Sequence, residues 1–279
     1  MINLLAASMT DAGMLRNENE DTAWAQVYSA ANQDSIGLFV LCDGMGGHMG
    51  GRYASYWAVE AIKREFSDLF IANKDPRATV ILSDEEIEDV RAGKLVVPQP
   101  KSPDLEALTM SAIQKANQVV YNYAKHKPDK AANAGTTVTM VAIRGNRAVI
   151  SNVGDSRTYL LRNHELIQVT WDHSLVASLV SEGQILPEEM YTHPQRNVIY
   201  RFLGQKGIIQ PDIFHRTLKA GDHLLLCSDG LWEMVHDDQM IIQIIQDARS
   251  PRRACEDLIE EANMAGGEDN ISVVVVRVT

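Results

Sequence analysis

The stretch Leu38-Phe39-Val40-Leu41-Cys42-Asp43-Gly44-Met45-Gly46-Gly47-His48-Met49-Gly50-Gly51 constrains the chain more than any other. An apolar run stops at a carboxylate, and five glycines follow within eight residues. A buried strand therefore carries Asp43 to a point where other backbone can approach closely. Leu224-Leu225-Leu226-Cys227-Ser228-Asp229-Gly230 repeats the device near the other end. A helix is expected over 52–66, where Ala54, Trp57, Ala58, Ala61 and Ile62 recur at helical spacing.

The intervening chain supplies partners for these strands. Helical periodicity returns from Asp104, with Leu105, Leu108, Ala112, Ile113, Ala116, Val119, Val120 and Tyr123 on one stripe, and this helix is expected to pair with the first. Between them, 73–103 carries Pro76, Pro98, Pro100 and Pro103 around an acidic piece and reads as a surface insertion, with a short capped helix at 84–92. Then 136–144, the turn Gly145-Asn146 and 147–153 form a hairpin. After Gly154-Asp155-Ser156 the meander continues through 157–162 and a short strand ending near Thr170. The irregular stretch 171–207 reads as a covering flap. A strand at 222–228, helices at 239–247 and from Ser250-Pro251 to Ala265, and an apolar run at 271–278 complete the chain.

Asp43, Asp155, Asp229 and Asp269 all fall at strand termini beside glycine or a tight turn, and Glu20 and Asp21 stand in a polar cluster just before a strand. Asp-Gly is a common turn, so any one of these alone is structural. Brought together, such carboxylates would repel one another unless cations were present, and oxygen ligands favour Mg²⁺ or Mn²⁺ over zinc. A dinucleotide loop is disfavoured because Met49 stands where the third fingerprint glycine belongs, and no Gly-Lys-Ser/Thr follows to make a P-loop. Cys42 and Cys227 lie within apolar runs, so a cysteine hydrolase is disfavoured too.

Composition closes off other classes. Acidic residues outnumber basic ones, 37 to 26, giving a net charge of −11 that disfavours nucleic acid and anionic membranes. Three cysteines without metal-site spacing, no apolar run of membrane-spanning length and no signal-peptide pattern give the expectation of a reducing, cytoplasmic setting.

The motifs Arg16-Asn17-Glu18-Asn19-Glu20-Asp21, Asp43-Gly44-Met45-Gly46-Gly47, Ala134-Gly135-Thr136-Thr137, Val153-Gly154-Asp155-Ser156-Arg157, Cys227-Ser228-Asp229-Gly230 and Gly267-Glu268-Asp269-Asn270 occur in this order. Together they resemble those of the PP2C-type (PPM) metal-dependent protein serine/threonine phosphatases, bacterial branch. The resemblance implies an α+β, four-layer αββα sandwich of two antiparallel β-sheets flanked by antiparallel helix pairs, formed by one domain over 1–279. It implies a hydrolase of phosphoserine and phosphothreonine in which a water bridging two Mn²⁺ or Mg²⁺ ions attacks phosphorus directly. By resemblance, Asp43 bridges the two ions, the Gly44 carbonyl and Glu20 complete one site, Asp229 and Asp269 belong to the other, and Asp155 with Asp229 binds a third, weaker ion. Arg16 matches the phosphate-binding arginine; the plainer expectation for it is a surface ion pair with Glu20.

Met45 stands where some relatives carry a proton-donating histidine. That leaves His48 a candidate by proximity alone, beside metal-bound water. Arg196 and Arg201 of the flap are expected to meet an acidic phosphopeptide. The implied partners are phosphorylated serine/threonine proteins and a cognate protein kinase, with the chain a monomer in signalling. The contrasting reading is a PP2C-fold scaffold without turnover, disfavoured because all five carboxylates are present. A nucleotide-binding module is the third.

Overall fold

A computed structural model of the chain describes residues 2–29, 35–46, 50–74, 104–127 and 134–279, together with 88 and 92. His48 and almost all of the expected insertion lie outside the described residues. Within 84–92 only the hydrogen bond from the Ala92 N–H to the Glu88 carbonyl, 2.8 Å, is described.

Two antiparallel five-stranded sheets form the centre. One has the order β1 (Leu4–Asp11), β12 (Ile271–Val278), β11 (His223–Cys227), β8 (Arg157–Arg162), β9 (Glu165–Gln168). The other runs β10 (Asp212–Thr217), β7 (Arg147–Val153), β6 (Val138–Arg144), β3 (Ile36–Cys42), β2 (Thr22–Tyr28). A small ladder pairs β4 (Gly44–Met45) with β5 (Gly135–Thr136).

The continuous apolar runs are explained by burial on both faces, where alternate residues enter different cores. In β3, Leu38, Val40 and Cys42 face a helix pair, while Phe39 and Leu41 enter the core between the sheets. In β12, Val273 and Val275 face the other helices, and Val274 and Val276 enter the inter-sheet core. Helix α1 (Gly50–Lys74) and α2 (Leu105–His126) pack on each other and on the outer face of the second sheet, through Ala54, Ala58, Ile62, Ile113, Ala116 and Val120. On the far side, α4 (Asp229–Trp232), α5 (Asp238–Asp247) and α6 (Pro251–Met264) cover the first sheet, with Leu231, Ile241, Ile245, Leu258 and Ala262 buried against it. The layers are helix, sheet, sheet, helix, as expected.

Local signals account for the helix boundaries. Asp104 caps α2 by accepting from the Glu106 N–H, and Ser250 caps α6 from the Arg253 N–H ahead of Pro251. Helix α1 outruns its expected 52–66, beginning within the glycine loop and taking in residues 73 and 74 assigned to the insertion. The stretch 171–207 contains only a short helix α3 (Leu175–Ser181), a 3₁₀ turn at Pro187–Thr192 and a single bridge between Ser174 and Ile199.

Candidate metal and phosphate centre

Register places the motif residues at one end of both sheets. Cys42 of β3 lies opposite Thr22 of β2, and Val138 of β6 opposite Val153 of β7, so Glu20, Asp43 and Asp155 emerge together. Cys227 of β11 sits between Val273 of β12 and Arg157 of β8, which brings Asp229 and Asp269 to the same rim. A cleft of about 480 Å³ results, lined by Arg16, Glu20, Asp43, Gly44, Met45, Thr137, Asp155, Asp229, Asp269 and Asn270, with Asn197 and Ile199 contributed by the flap. Every expected ligand residue therefore reaches one place.

Hydrogen bonds explain why the neighbouring motif residues are needed. The Asp43 N–H donates to Thr137 Oγ1 at 2.9 Å, while the Thr137 N–H and the Thr136 hydroxyl both donate to the Asp43 carbonyl at 2.8 Å. Asn270 ties three segments: its Oδ1 accepts from the Glu20 N–H at 2.8 Å, and its Nδ2 donates to the Ala12 and Glu18 carbonyls at 3.0 and 2.9 Å. Gly44 is required by close approach, since a Cβ there would overlap the carbonyl oxygens of Glu20 and Gly51. At Gly230 a Cβ would strike the Asn270 carbonyl in the same way.

The electrostatics are those of negative charge crowded out of water. Burial pushes Asp43 well above the ordinary aspartate range, and Asp21, Asp229, Asp155 and Asp269 push it further. Asp229 is raised by burial and then by Asp155 and Asp269; Asp155 is carried up to about 7 by burial, with Asp172 adding. Burial also raises Glu20, opposed by backbone N–H groups of Arg52 and Gly51 in the first turn of α1. Among the cleft carboxylates, buried oxygens lack partners at Glu20 Oε1 and Asp229 Oδ1. Such groups fit divalent cations, which would neutralise the carboxylates and take up the unpaired oxygens. Among the described residues, however, no three side chains converge on a single preformed ion position, so the carboxylates line the cleft without closing on one point.

Several expectations need correction. Arg16 forms its ion pair with Asp269 rather than Glu20, at 2.7 Å, and its Nε donates to the Glu268 carbonyl at 3.3 Å. Arg201 turns away from the cleft, its Nη1 held by Asp212 Oδ1 at 2.9 Å and the Gln210 carbonyl at 3.1 Å. Arg196 approaches Glu233 at 3.7 Å and Glu268 at 4.0 Å, so its charge is already shared with protein carboxylates. The His48 candidate lies outside the described residues, and no described histidine lines the cleft. Asp21 is buried, and burial carries it up to about 7, although its place beside Glu20 in sequence gave it no separate role. Glu233, one helical turn beyond Asp229 and also raised by burial, was missed; the spacing from Asp229 was the available signal.

The cysteines behave as their setting requires. All three are buried and unpaired, and burial raises each thiol, Cys227 and Cys255 to about 12. A thiolate nucleophile is excluded on that basis. Among the described residues no helix is long and apolar enough to cross a membrane.

Residues 17–262 match the family described as Protein phosphatase 2C. The serine/threonine phosphatase stp of Listeria monocytogenes is 35% identical over 268 residues, covering 96% of this chain and 93% of that protein. The serine/threonine protein phosphatase PstP of Mycobacterium tuberculosis is 36% identical over 274 residues, covering 98% of this chain and 44% of that protein. A crystal structure of the catalytic domain of PstP in complex with 2 manganese ions superposes with a TM-score of 0.76 at 33% identity, covering 100% of both chains. The crowded carboxylate cleft, the helix–sheet–sheet–helix layering and these likenesses agree, and the chain belongs to the protein phosphatase 2C family.

Proposed function

We propose that this chain is a Mn²⁺- or Mg²⁺-dependent phosphatase that hydrolyses phosphoserine and phosphothreonine in proteins. The observation that carries the reading is the convergence of Glu20, Asp43, Asp155, Asp229 and Asp269 on one cleft, with buried oxygens that have no protein partner. Bound cations would supply charge neutralisation and a water made acidic enough to attack phosphorus at neutral pH. Asp43, central among the aspartates, is the group suited to bridge two ions; Glu20 and the Gly44 carbonyl would serve one, Asp229 and Asp269 the other, and Asp155 with Asp229 a weaker third.

The protein's own groups account for substrate handling. Arg16 reaches the cleft on an exposed loop, and its planar fork suits phosphoryl oxygens. Its pair with Asp269 supplies a counter-charge where a cation would otherwise sit; with Asp269 engaged by a cation, the guanidinium is available to phosphate. Residues 171–207 act as the flap of a single domain over 1–279, and Asn197 and Ile199 are its contribution to the cleft wall. The substrates are phosphoproteins of a cognate serine/threonine kinase in the cytoplasm, and the chain acts as a monomer.

The test is hydrolysis of p-nitrophenyl phosphate and of a phosphothreonine peptide, with Mn²⁺ and with EDTA, alongside Asp43→Asn and Asp229→Asn. Turnover should depend on the metal and fall by at least about a hundredfold in both variants. Equal turnover in EDTA, or in both variants, refutes the reading.

A further inference from the structure

Behind the cleft lies a buried cation that the proposed chemistry does not use. The side chain of Arg157, at the start of β8, is 7% exposed and clamps Asp172, 3% exposed, with Nε at 3.0 Å and Nη2 at 2.7 Å from Oδ2. Its Nη1 donates to the Tyr159 hydroxyl at 3.2 Å. The guanidinium carbon lies 3.6 Å from the centre of the Trp232 ring. That ring in turn donates its indole N–H to the carbonyl of Asp155 at 3.1 Å. Trp232 ends the single turn of helix that Asp229 begins. One stack therefore joins the peptide of Asp155 to the helix of Asp229, and these two carboxylates repel each other across the cleft.

The backbone on either side of Asp155 is also held. The Gly154 N–H donates to His173 Nδ1 at 3.1 Å, and the His173 N–H donates to the Gly154 carbonyl at 2.9 Å. The Ser156 hydroxyl meets Thr137 Oγ1 at 2.7 Å. A buried ion pair is weak evidence of stabilisation, because desolvation offsets its attraction. A planar guanidinium under an indole nonetheless fixes orientation as a flexible ammonium cannot.

We infer, resting on the function proposed above, that the Arg157–Trp232 stack is a positioning unit: it sets the spacing of Asp155 from Asp229 and thereby the affinity of the cation held between them. Arg157 and Trp232 touch neither substrate nor cation. They act through the Asp155 carbonyl and the Asp229 helix, much as outer partners tune the ligands of a metal. The plainer alternative is that the stack is core packing, in which case its loss would weaken the fold without singling out one ion.

The experiment compares Mn²⁺ binding, by calorimetry and by the electron paramagnetic resonance of free Mn²⁺, in wild type, Asp155→Asn, Trp232→Phe and Arg157→Lys. Asp155→Asn identifies the class of ions that depends on Asp155. Trp232→Phe keeps a ring over Arg157 but removes the indole N–H, and should weaken that class about fivefold, the scale of one hydrogen bond, leaving the remaining ions unchanged. Arg157→Lys should weaken the same class further. Melting in EDTA establishes that each variant is folded, and Trp232→Phe carries the test if Arg157→Lys does not fold. Equal weakening of every ion, no weakening in Trp232→Phe, or an Asp155→Asn isotherm that superimposes on wild type overturns the inference. A wild type that binds no Mn²⁺ and hydrolyses no p-nitrophenyl phosphate instead overturns the proposed function.

Discussion

Asp155→Asn should stabilise the metal-free protein at alkaline pH. The ordinary aspartate value is 3.8, and burial beside Asp172 carries Asp155 to about 7. The folded state thus holds a proton that the unfolded state releases. Stability from this group is fully present below pH 3.8 and is lost as pH rises to about 7. At 1.36 kcal/mol per pH unit, the interval corresponds to about 4 kcal/mol on an order-of-magnitude basis. For a chain of this size that is about 10 °C in melting temperature.

Asparagine carries no charge, so it should recover a large part of that loss at pH 8 and flatten the pH profile between 5 and 8. The measurement is the melting temperature against pH in EDTA for wild type and variant, repeated in excess Mn²⁺. Cations that bind the native state raise wild-type stability by mass action, so the ranking should invert there. A variant that melts below wild type at pH 8 in EDTA, or a profile as steep as that of wild type, refutes the electrostatic account of the cleft.

Other perturbations probe separate parts of the site. Arg16→Ala should cut kcat/KM for p-nitrophenyl phosphate by about ten- to a hundredfold, the scale of one charged contact. Its melting temperature in EDTA should shift by no more than about 2 °C, because the lost pair with Asp269 is exposed. Gly44→Ala must displace both the Glu20 and Gly51 carbonyls, or the Gly44 backbone itself, and should lower Mn²⁺ affinity at least about tenfold by calorimetry. The native protein should leave all three thiols unlabelled by a thiol reagent over an hour and expose all three in guanidinium chloride; rapid native labelling of Cys42 would show that β3 is not enclosed as described.

The interior strands were legible because strands buried on both faces announce themselves as continuous apolar runs, as β3, β11 and β12 do, whereas their four-layer stacking was implied by the motif resemblance. Edge strands carry a fainter pattern. β1 and β10, each at the rim of a sheet and half-buried along most of its length, were not delineated by alternation. The metal-site candidates were legible for a related reason: Asp43 and Asp229 end apolar strands, and a carboxylate at such a place is conspicuous. Asp21 was not, since nothing local tells a carboxylate in a polar cluster whether the fold will enclose it.

By itself, then, the sequence determined the interior strands, the long helices to within a few residues and where the apolar strands deliver their carboxylates, because side-chain period and turn chemistry act within a few residues. Tertiary structure alone decided the pairings. Arg16 meets Asp269 from 253 positions away, Arg201 is spent on Asp212 and His173 instead of facing the cleft, and Trp232 binds the carbonyl of Asp155 from 77 positions away. Such partners are chosen by sheet order and by which charges packing excludes from water, and neither is written in any local stretch of the chain.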